Sequence, residues 1–309
     1  MPGWSVDDMG DLDGRTVLVT GANSGLGLRS AEALAGHGAR VLIACRNPDK
    51  GEAARDQVRA MARGAPPELV LLDLADLSSV EAAAEDVAAR TDHLDGLMNN
   101  AGVMALPHRH TPDGFESQFG TNHLGHYALT GRLVPLLLAA PAPRVVTTSS
   151  TMHRIGRMRW DDLQHERRYM KWLVYGQSKL ANLLFAFELD RRAKAAGTAL
   201  RSLAAHPGYA NTHLQAAGPE MRGSRFNLEL MGMANRVFAQ SDAAGALPQL
   251  RALTDPDVVG GEFFGPGGPG EMQGSPVQVK AKRAAYDTAA AQRLWDVSAE
   301  LTGVTYAWP

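Results

Sequence analysis

A chain of 309 residues with 45% apolar and 21% charged side chains can bury one large core, and its composition is ordinary for a globular protein. Its formal net charge of −2 excludes a general attraction to nucleic acid or to an anionic membrane, so any anion-binding site must be local. One cysteine, Cys45, excludes an intrachain disulfide and a multi-cysteine metal site.

The stretch from Met1 to Leu12 is acidic and lacks the basic flank and apolar run of a secretion signal. No apolar stretch approaches the roughly 20 residues of a membrane helix, so the expectation is a cytoplasmic protein without a membrane partner. From there a short β-rich run followed by a longer helical pattern recurs along the chain. Thr16–Thr20 (TVLVT) precedes a helix over about 24–37. Arg40–Ala44 (RVLIA) precedes one over 48–63, and Glu68–Leu72 one over 78–90. Leu94–Asn99 precedes a helix over 114–139, Arg144–Ser149 precedes one over 172–195, and 199–205 follows as a strand. Continuously apolar strands separated by helices predict a parallel sheet covered on both faces. Right-handed crossovers make it a doubly wound α/β fold of the Rossmann kind. No repeat or linker divides the chain, which predicts one domain over 1–309: a cofactor-binding and catalytic core at 12–210, a substrate lid at 211–240, and C-terminal helices with a last strand at 241–309.

Two stretches break the rhythm. One lies between Ser150 and Trp172 and is rich in Arg, Met and Trp. The other, His213–Gln240, carries Phe226, Leu228, Leu230, Met231, Met233, Val237 and Phe238. Both begin at carboxyl ends of strands, where open α/β sheets bind ligands. The second is either a helix capping the core or an apolar lid over substrate. Arg157, Arg159, Arg167 and Arg168 read as solvated surface, with an acidic substrate group as the alternative.

The first strand runs straight into Gly21-Ala22-Asn23-Ser24-Gly25-Leu26-Gly27. Glycines there allow a tight turn and let backbone N–H groups approach a pyrophosphate at a helix N-terminus. The spacing is G-x-x-x-G-x-G, not the G-x-G-x-x-G fingerprint. The second strand ends in Ala44-Cys45-Arg46-Asn47, with no carboxylate to grip a ribose hydroxyl and with a guanidinium suited to a 2′-phosphate. Arg46 therefore favours NADP(H) over NAD(H), unless it is an ordinary surface charge.

Tyr175 and Lys179 stand four apart at the start of a helical stretch, so phenol and ammonium share one face. A phenol with a pKa of about 10 is a poor base at neutral pH. A cation about 4 Å away, at an effective dielectric near 20, favours the phenolate by up to roughly 4 kcal/mol. The spacing therefore predicts that Lys179 lowers Tyr175 toward working pH, where general acid–base catalysis is efficient.

The motifs TGANSGLG (Thr20–Gly27), Asp73-Leu74, NNAG (Asn99–Gly102), Asn122 in TNHLGHY, Ser150 in VVTTSST, YxxxK (Tyr175–Lys179) and HPG (His206–Gly208) occur together and in order. With them the chain resembles the short-chain dehydrogenase/reductases, over about 14–212 by motif. ACRN, YGQSKLAN and GGEFFGPGG (Gly260–Gly268) point within that family to its retinol-dehydrogenase-like and protochlorophyllide-reductase-like branch. The resemblance implies that Tyr175 transfers the proton, Lys179 lowers its pKa, Ser150 donates to the substrate oxygen and Asn122 holds a water of a proton relay. It also implies that Asp73 and Leu74 flank adenine, Asn100 meets the adenosine ribose beside Ala101 and Gly102, and Pro207, Gly208 and Thr212 shape the nicotinamide end. Simpler roles stand beside these. Asn122 is then a helix-interior amide, Ser150 a strand-end cap, Asp73 the cap of the next helix and Asn99 a tie between strands.

Two departures from the family pattern stand out. Tyr209-Ala210-Asn211 is bulkier and more polar than the pair usual after HPG, and Leu28 replaces a basic residue of some NADP-using relatives. His123, His126, His153, His165 and His213 form no H-E-x-x-H arrangement, and no metal is expected. His153 and His213 are candidates for substrate contact. The expected activity is NADPH-dependent reduction of a carbonyl on a fairly large apolar small molecule, or oxidation of the alcohol. The alternatives are reduction of a carbon–carbon double bond and a nucleotide-binding regulator without catalysis. Homo-oligomerisation is compatible with the sequence but not legible in it.

Overall fold

The structure is a computed structural model that describes residues 3–208 and 241–309. Among these, eight strands form one sheet in the order β3-β2-β1-β4-β5-β6-β7-β8. They are β1 (Thr16–Thr20), β2 (Arg40–Cys45), β3 (Glu68–Leu71), β4 (Gly96–Asn99), β5 (Arg144–Thr148), β6 (Arg201–Ala205), β7 (Phe263–Pro266) and β8 (Pro276–Gln278). Pairing is parallel from β3 through β7, and β1 lies between β2 and β4, the reversal of a doubly wound sheet. The Rossmann-like fold read from the sequence is the one observed. Strand β8 departs from it by running antiparallel to β7. Only the short stretch 267–275 joins these two strands, too little chain for a parallel crossover.

Helices α1 (Gly25–Gly36), α2 (Pro48–Met61), α3 (Leu77–Arg90), α4 (Gly125–Ala139), α5 (Lys171–Ala195), α6 (Asp242–Thr254) and α7 (Thr288–Thr302) cover the sheet. Successive side chains of β1 point to opposite faces. Val17 and Val19 pack with Leu34 of α1 and Leu250 of α6 on one side, while Leu18 packs with Val80, Leu133 and Trp295 on the other. Burial on both faces is why the strands read as unbroken apolar runs. No helix among the described residues is long and apolar enough to cross a membrane.

Local chemistry sets the helix starts. Asn47 accepts a hydrogen bond from Lys50 N at 2.9 Å, with Pro48 in the first helical turn of α2. The cap of α3 is Asp76, which accepts from Ser78 N, so the reading of Asp73 as that cap is corrected. Asp73 instead accepts from Ala75 N within its own turn. The helix expected over 114–139 starts later, because the Glu116 carboxylate caps Gln118 N and Phe119 N. It then passes through one wide π turn, Gly120–Leu124, before α4 begins.

Gly125 opens α4 against the loop after β3. A Cβ built there would lie 2.2 Å from the Leu74 carbonyl oxygen, a rigid backbone atom. Gly125→Ala should therefore destabilise the fold by about 1–3 kcal/mol, the usual range for overpacking. A urea unfolding midpoint equal to that of the parent would refute this.

Candidate active site

The glycine turn takes its shape from positions only glycine fills easily. Gly21 and Gly25 have φ of 66° and 54°. A Cβ on Gly27 would meet Gly21 O at 2.4 Å, so the turn closes on the first turn of α1 only without a side chain there. Gly21, Asn23, Ser24, Gly25, Leu26 and Gly27 line one wall of a cleft of about 350 Å³. Arg46, Asp73 and Leu74 line the next wall, and Asn100, Ala101 and Gly102 close its inner end. All the residues assigned to the adenine and pyrophosphate half are thus brought together. The backbone-lined wall and the Arg46 guanidinium beside it fit a dinucleotide. Arg46 is 75% exposed, and its guanidinium lies 3.7 Å from the Asp73 carboxylate. Lys50 lines the same cleft and was missed in the sequence; its signal is that it falls in the first turn of α2, just beyond Arg46.

The Asn100 amide is committed to the protein: Nδ2 donates to Thr20 O at 2.8 Å and Oδ1 accepts from Gln249 Nε2 at 3.1 Å. Asn99 ties strands together, donating to Thr130 Oγ1 at 3.0 Å. Thr20 Oγ1 accepts from both Asn100 N and Ala101 N at 3.0 Å, which fixes the loop after β4 against the end of β1.

Tyr175 and Lys179 lie on α5, buried, with the ammonium 5.7 Å from the phenol ring centroid. Tyr175 hydrogen-bonds Ser150, whose hydroxyl also accepts from Met152 N at 3.2 Å. Ser150 is therefore a strand-end cap and a partner of the phenol at once. Ser149 is turned away and donates to Lys179 O at 2.8 Å. Lys179 Nζ donates to Thr148 O at 3.1 Å. The Asn122 carboxamide accepts from Val103 N at 2.7 Å and donates to Val103 O and Ser178 Oγ, both at 2.9 Å. A Cβ on Gly102 would lie 3.1 Å from Asn122 Oδ1 and 3.4 Å from Lys179 Nζ. The inner end of the cleft thus abuts the lysine and the asparagine.

Charge in this site departs from expectation. Burial pushes the Tyr175 phenol up to about 12, against a smaller lowering by Ser150, and burial brings Lys179 down to about 8. Residue spacing alone had predicted a lowered phenol. In the chain by itself the loss of water is the larger effect.

Pro207 and Gly208 follow β6, outside the cleft lining, with Gly208 N donating to His206 Nδ1 at 3.1 Å. His206 Nε2 meets Glu271 at 3.0 Å, and Arg154 holds the other oxygen of that carboxylate at 2.7 Å. Thr212, His213 and the lid assigned to 211–240 lie outside the described residues. His153 is not at a pocket mouth: it is fully buried, with Nδ1 donating to Ser150 O at 2.6 Å and Nε2 accepting from Lys282 N at 3.3 Å. Arg157, Arg167 and Arg168 are exposed, and Arg167 pairs with Asp161 and Asp162.

A family model described as short chain dehydrogenase matches residues 15–223. The chain belongs to that family. This dehydrogenase is 38% identical over 297 residues to retinol dehydrogenase 12 of Mus musculus, covering 96% of this chain and 88% of the relative. It is also 38% identical over 309 residues to retinol dehydrogenase 14 of the same species, with the same coverage. Among solved structures, a Mycobacterium paratuberculosis protein described as uncharacterised superposes with a TM-score of 0.81 at 42% identity, over 99% of both chains. A Shigella flexneri short chain dehydrogenase complexed with NADP shares the fold, with a TM-score of 0.63 at 24% identity, covering 82% of this chain and 96% of that one. The protein is therefore an oxidoreductase of the short-chain dehydrogenase family.

His126 is a further residue that the sequence did not single out for the site. Nδ1 donates to Asn122 O at 3.0 Å, so Nε2 is the acceptor for the Thr20 hydroxyl at 2.9 Å. Burial holds His126 down to about 4 and His123 to about 3, both in the neutral form. The unfolded chain takes up protons on these rings near pH 6.5 and the folded one does not, so stability present above that pH is lost as pH falls. The urea midpoint should drop between about pH 6.5 and 5, above the range where ordinary carboxylates titrate. A flat profile in that window would contradict neutral burial.

Proposed function

We propose that the protein is an NADP(H)-dependent reductase of a carbonyl on a fairly large apolar molecule, acting in reverse as an alcohol dehydrogenase. The observation that carries this reading is the buried Tyr175 phenol facing the half-buried Ser150, with Lys179 beside it at the inner end of the glycine-turn cleft. The bound nicotinamide supplies hydride in reduction and accepts it in oxidation. The chain's own residues handle the proton. With its phenol held up at about 12, Tyr175 stays protonated at neutral pH and suits the role of donor to a carbonyl oxygen. Ser150, bonded to that phenol, is placed to donate to the same oxygen. Lys179, at about 8, exchanges protons readily near neutral pH and re-protonates the phenolate.

Arg46 and Lys50 on the cleft wall, with no carboxylate at the end of β2, support NADP(H) over NAD(H). The relatives named retinol dehydrogenases support a substrate of retinol-like size and apolarity, with an alcohol or aldehyde as the reacting group.

Tyr175→Phe should lower turnover about 10²–10⁴-fold, the range of a lost general acid, with NADPH binding retained in a fluorescence titration. Full turnover would remove the phenol from the mechanism. Arg46→Asp should lower kcat/KM with NADPH about 10–100-fold, from loss of a charge-assisted bond, and spare kcat/KM with NADH. Equal losses with both cofactors would take the phosphate role from Arg46. A panel pairing saturated and α,β-unsaturated aldehydes checks the bond reduced. Turnover only at the carbon–carbon double bond would overturn the carbonyl assignment.

A further inference from the structure

Two chain segments lead away from the catalytic residues toward the surface. One leaves Gly102 and Val103, whose backbone is held by Asn122, and runs through 104–111. The other leaves Ser150 and runs to α5. They meet where His108 and His110 of the first face Glu166 of the second. The ligand-capable atoms of these three side chains all lie within 4.8 Å of one another. A point no more than about 2.8 Å from all three therefore exists, against about 2.1 Å for a zinc–nitrogen or zinc–oxygen bond, so modest rotation of surface side chains brings them into range.

The three side chains do not dangle independently. His110 Nε2 lies 2.7 Å from Glu166 Oε1, and the His110 backbone bridges to Glu116. The His108 ring stacks on Tyr169 at 4.6 Å and 24°. The Tyr169 hydroxyl donates to Leu106 O at 2.9 Å and also lies 3.2 Å from the buried Glu116 carboxylate. Gln118, also buried, donates to the Tyr169 hydroxyl and to Lys171 O and accepts from Ala105 N. This buried polar network, which takes no part in the chemistry at Tyr175, orients the two segments as outer partners orient metal ligands. Two imidazoles and one carboxylate suit a first-row dication of zinc type rather than magnesium or calcium. Arg167, next to Glu166, is turned to Asp161 and Asp162.

We propose that His108, His110 and Glu166 form a binding site for a first-row divalent cation such as Zn²⁺, which cross-links the 104–111 loop to the segment between Ser150 and Tyr175. The sequence reading expected no metal because it weighed histidines by local motifs, and Glu166 stands 56 residues beyond His110.

Calorimetric titration of the tag-free full chain with ZnCl₂ tests this, with circular dichroism to confirm that each variant folds. One ion should bind per chain. Losing even an outer partner costs about 10–100-fold in affinity, so His110→Ala and Glu166→Gln, which each remove a ligand, should weaken binding at least about tenfold. His93→Ala is the control, since His93 also contacts two carboxylates, Asp92 and Asp95, and its loss should leave affinity unchanged. Zinc uptake only in the millimolar range, or undiminished uptake by a chain carrying His108→Ala, His110→Ala and Glu166→Gln together, overturns the site.

Discussion

The Asn122 carboxamide engages the backbone N–H and C=O of Val103 and the Ser178 hydroxyl, and it is fully buried. These bonds join three things that the chain does not bring together by proximity in sequence: the loop after β4, the helix that carries Tyr175 and Lys179, and the wide turn before α4. An unsatisfied buried polar group costs about 1–3 kcal/mol, so any arrangement that pulled one of them away would leave several groups exposed to that penalty. The position of the lysine beneath Gly102 follows from this constraint. His126 extends it to β1, since its ring bridges the Asn122 carbonyl and the Thr20 hydroxyl, and that hydroxyl in turn receives two N–H groups from the loop after β4.

Within that frame the electrostatics are set by exclusion of water more than by pairing. Tyr175 and Lys179 are both buried, and each is pushed toward its neutral form. A phenol that keeps its proton and an amine that gives one up near neutrality make a donor and a reservoir. Among the described residues one hydrogen bond, from Lys179 to Thr148 O, sets against the ammonium's lost hydration.

Much of the fold was legible because it is written locally. Val17, Leu18 and Val19 read as a buried strand, Pro48 and Asn47 mark a helix start, and Gly21 to Gly27 announce a turn at a helix N-terminus. Tyr175 and Lys179 were legible for the same reason, as neighbours on one helical face. What escaped depends on partners distant in the chain. His126 matters through Thr20, 106 residues away, and His206 is fixed by Glu271, 65 residues on. The direction of the Tyr175 shift escaped because spacing reports which groups are near but not how much water reaches them. The cap at Asp76 was misplaced to Asp73 because two aspartates three apart offer equally plausible starts. The antiparallel β8 hid in a stretch too short and glycine-rich to look like a strand.

The wide turn at Gly120–Leu124 shows that the polypeptide holds one residue more than a regular helix between Ser117 and Ala139 would use. A π turn closes i to i+5 and so takes up the extra residue within a single turn, which means that removing one amino acid there would return the winding to a regular helix with the flanking side chains turned only slightly. The surplus residue is thus absorbed locally: the backbone widens around Asn122 while the capped start of the helix and its long body continue as one rod. The widened turn tolerates a change of length better than a change of Asn122, whose bonds to Val103 and Ser178 depend on that one side chain.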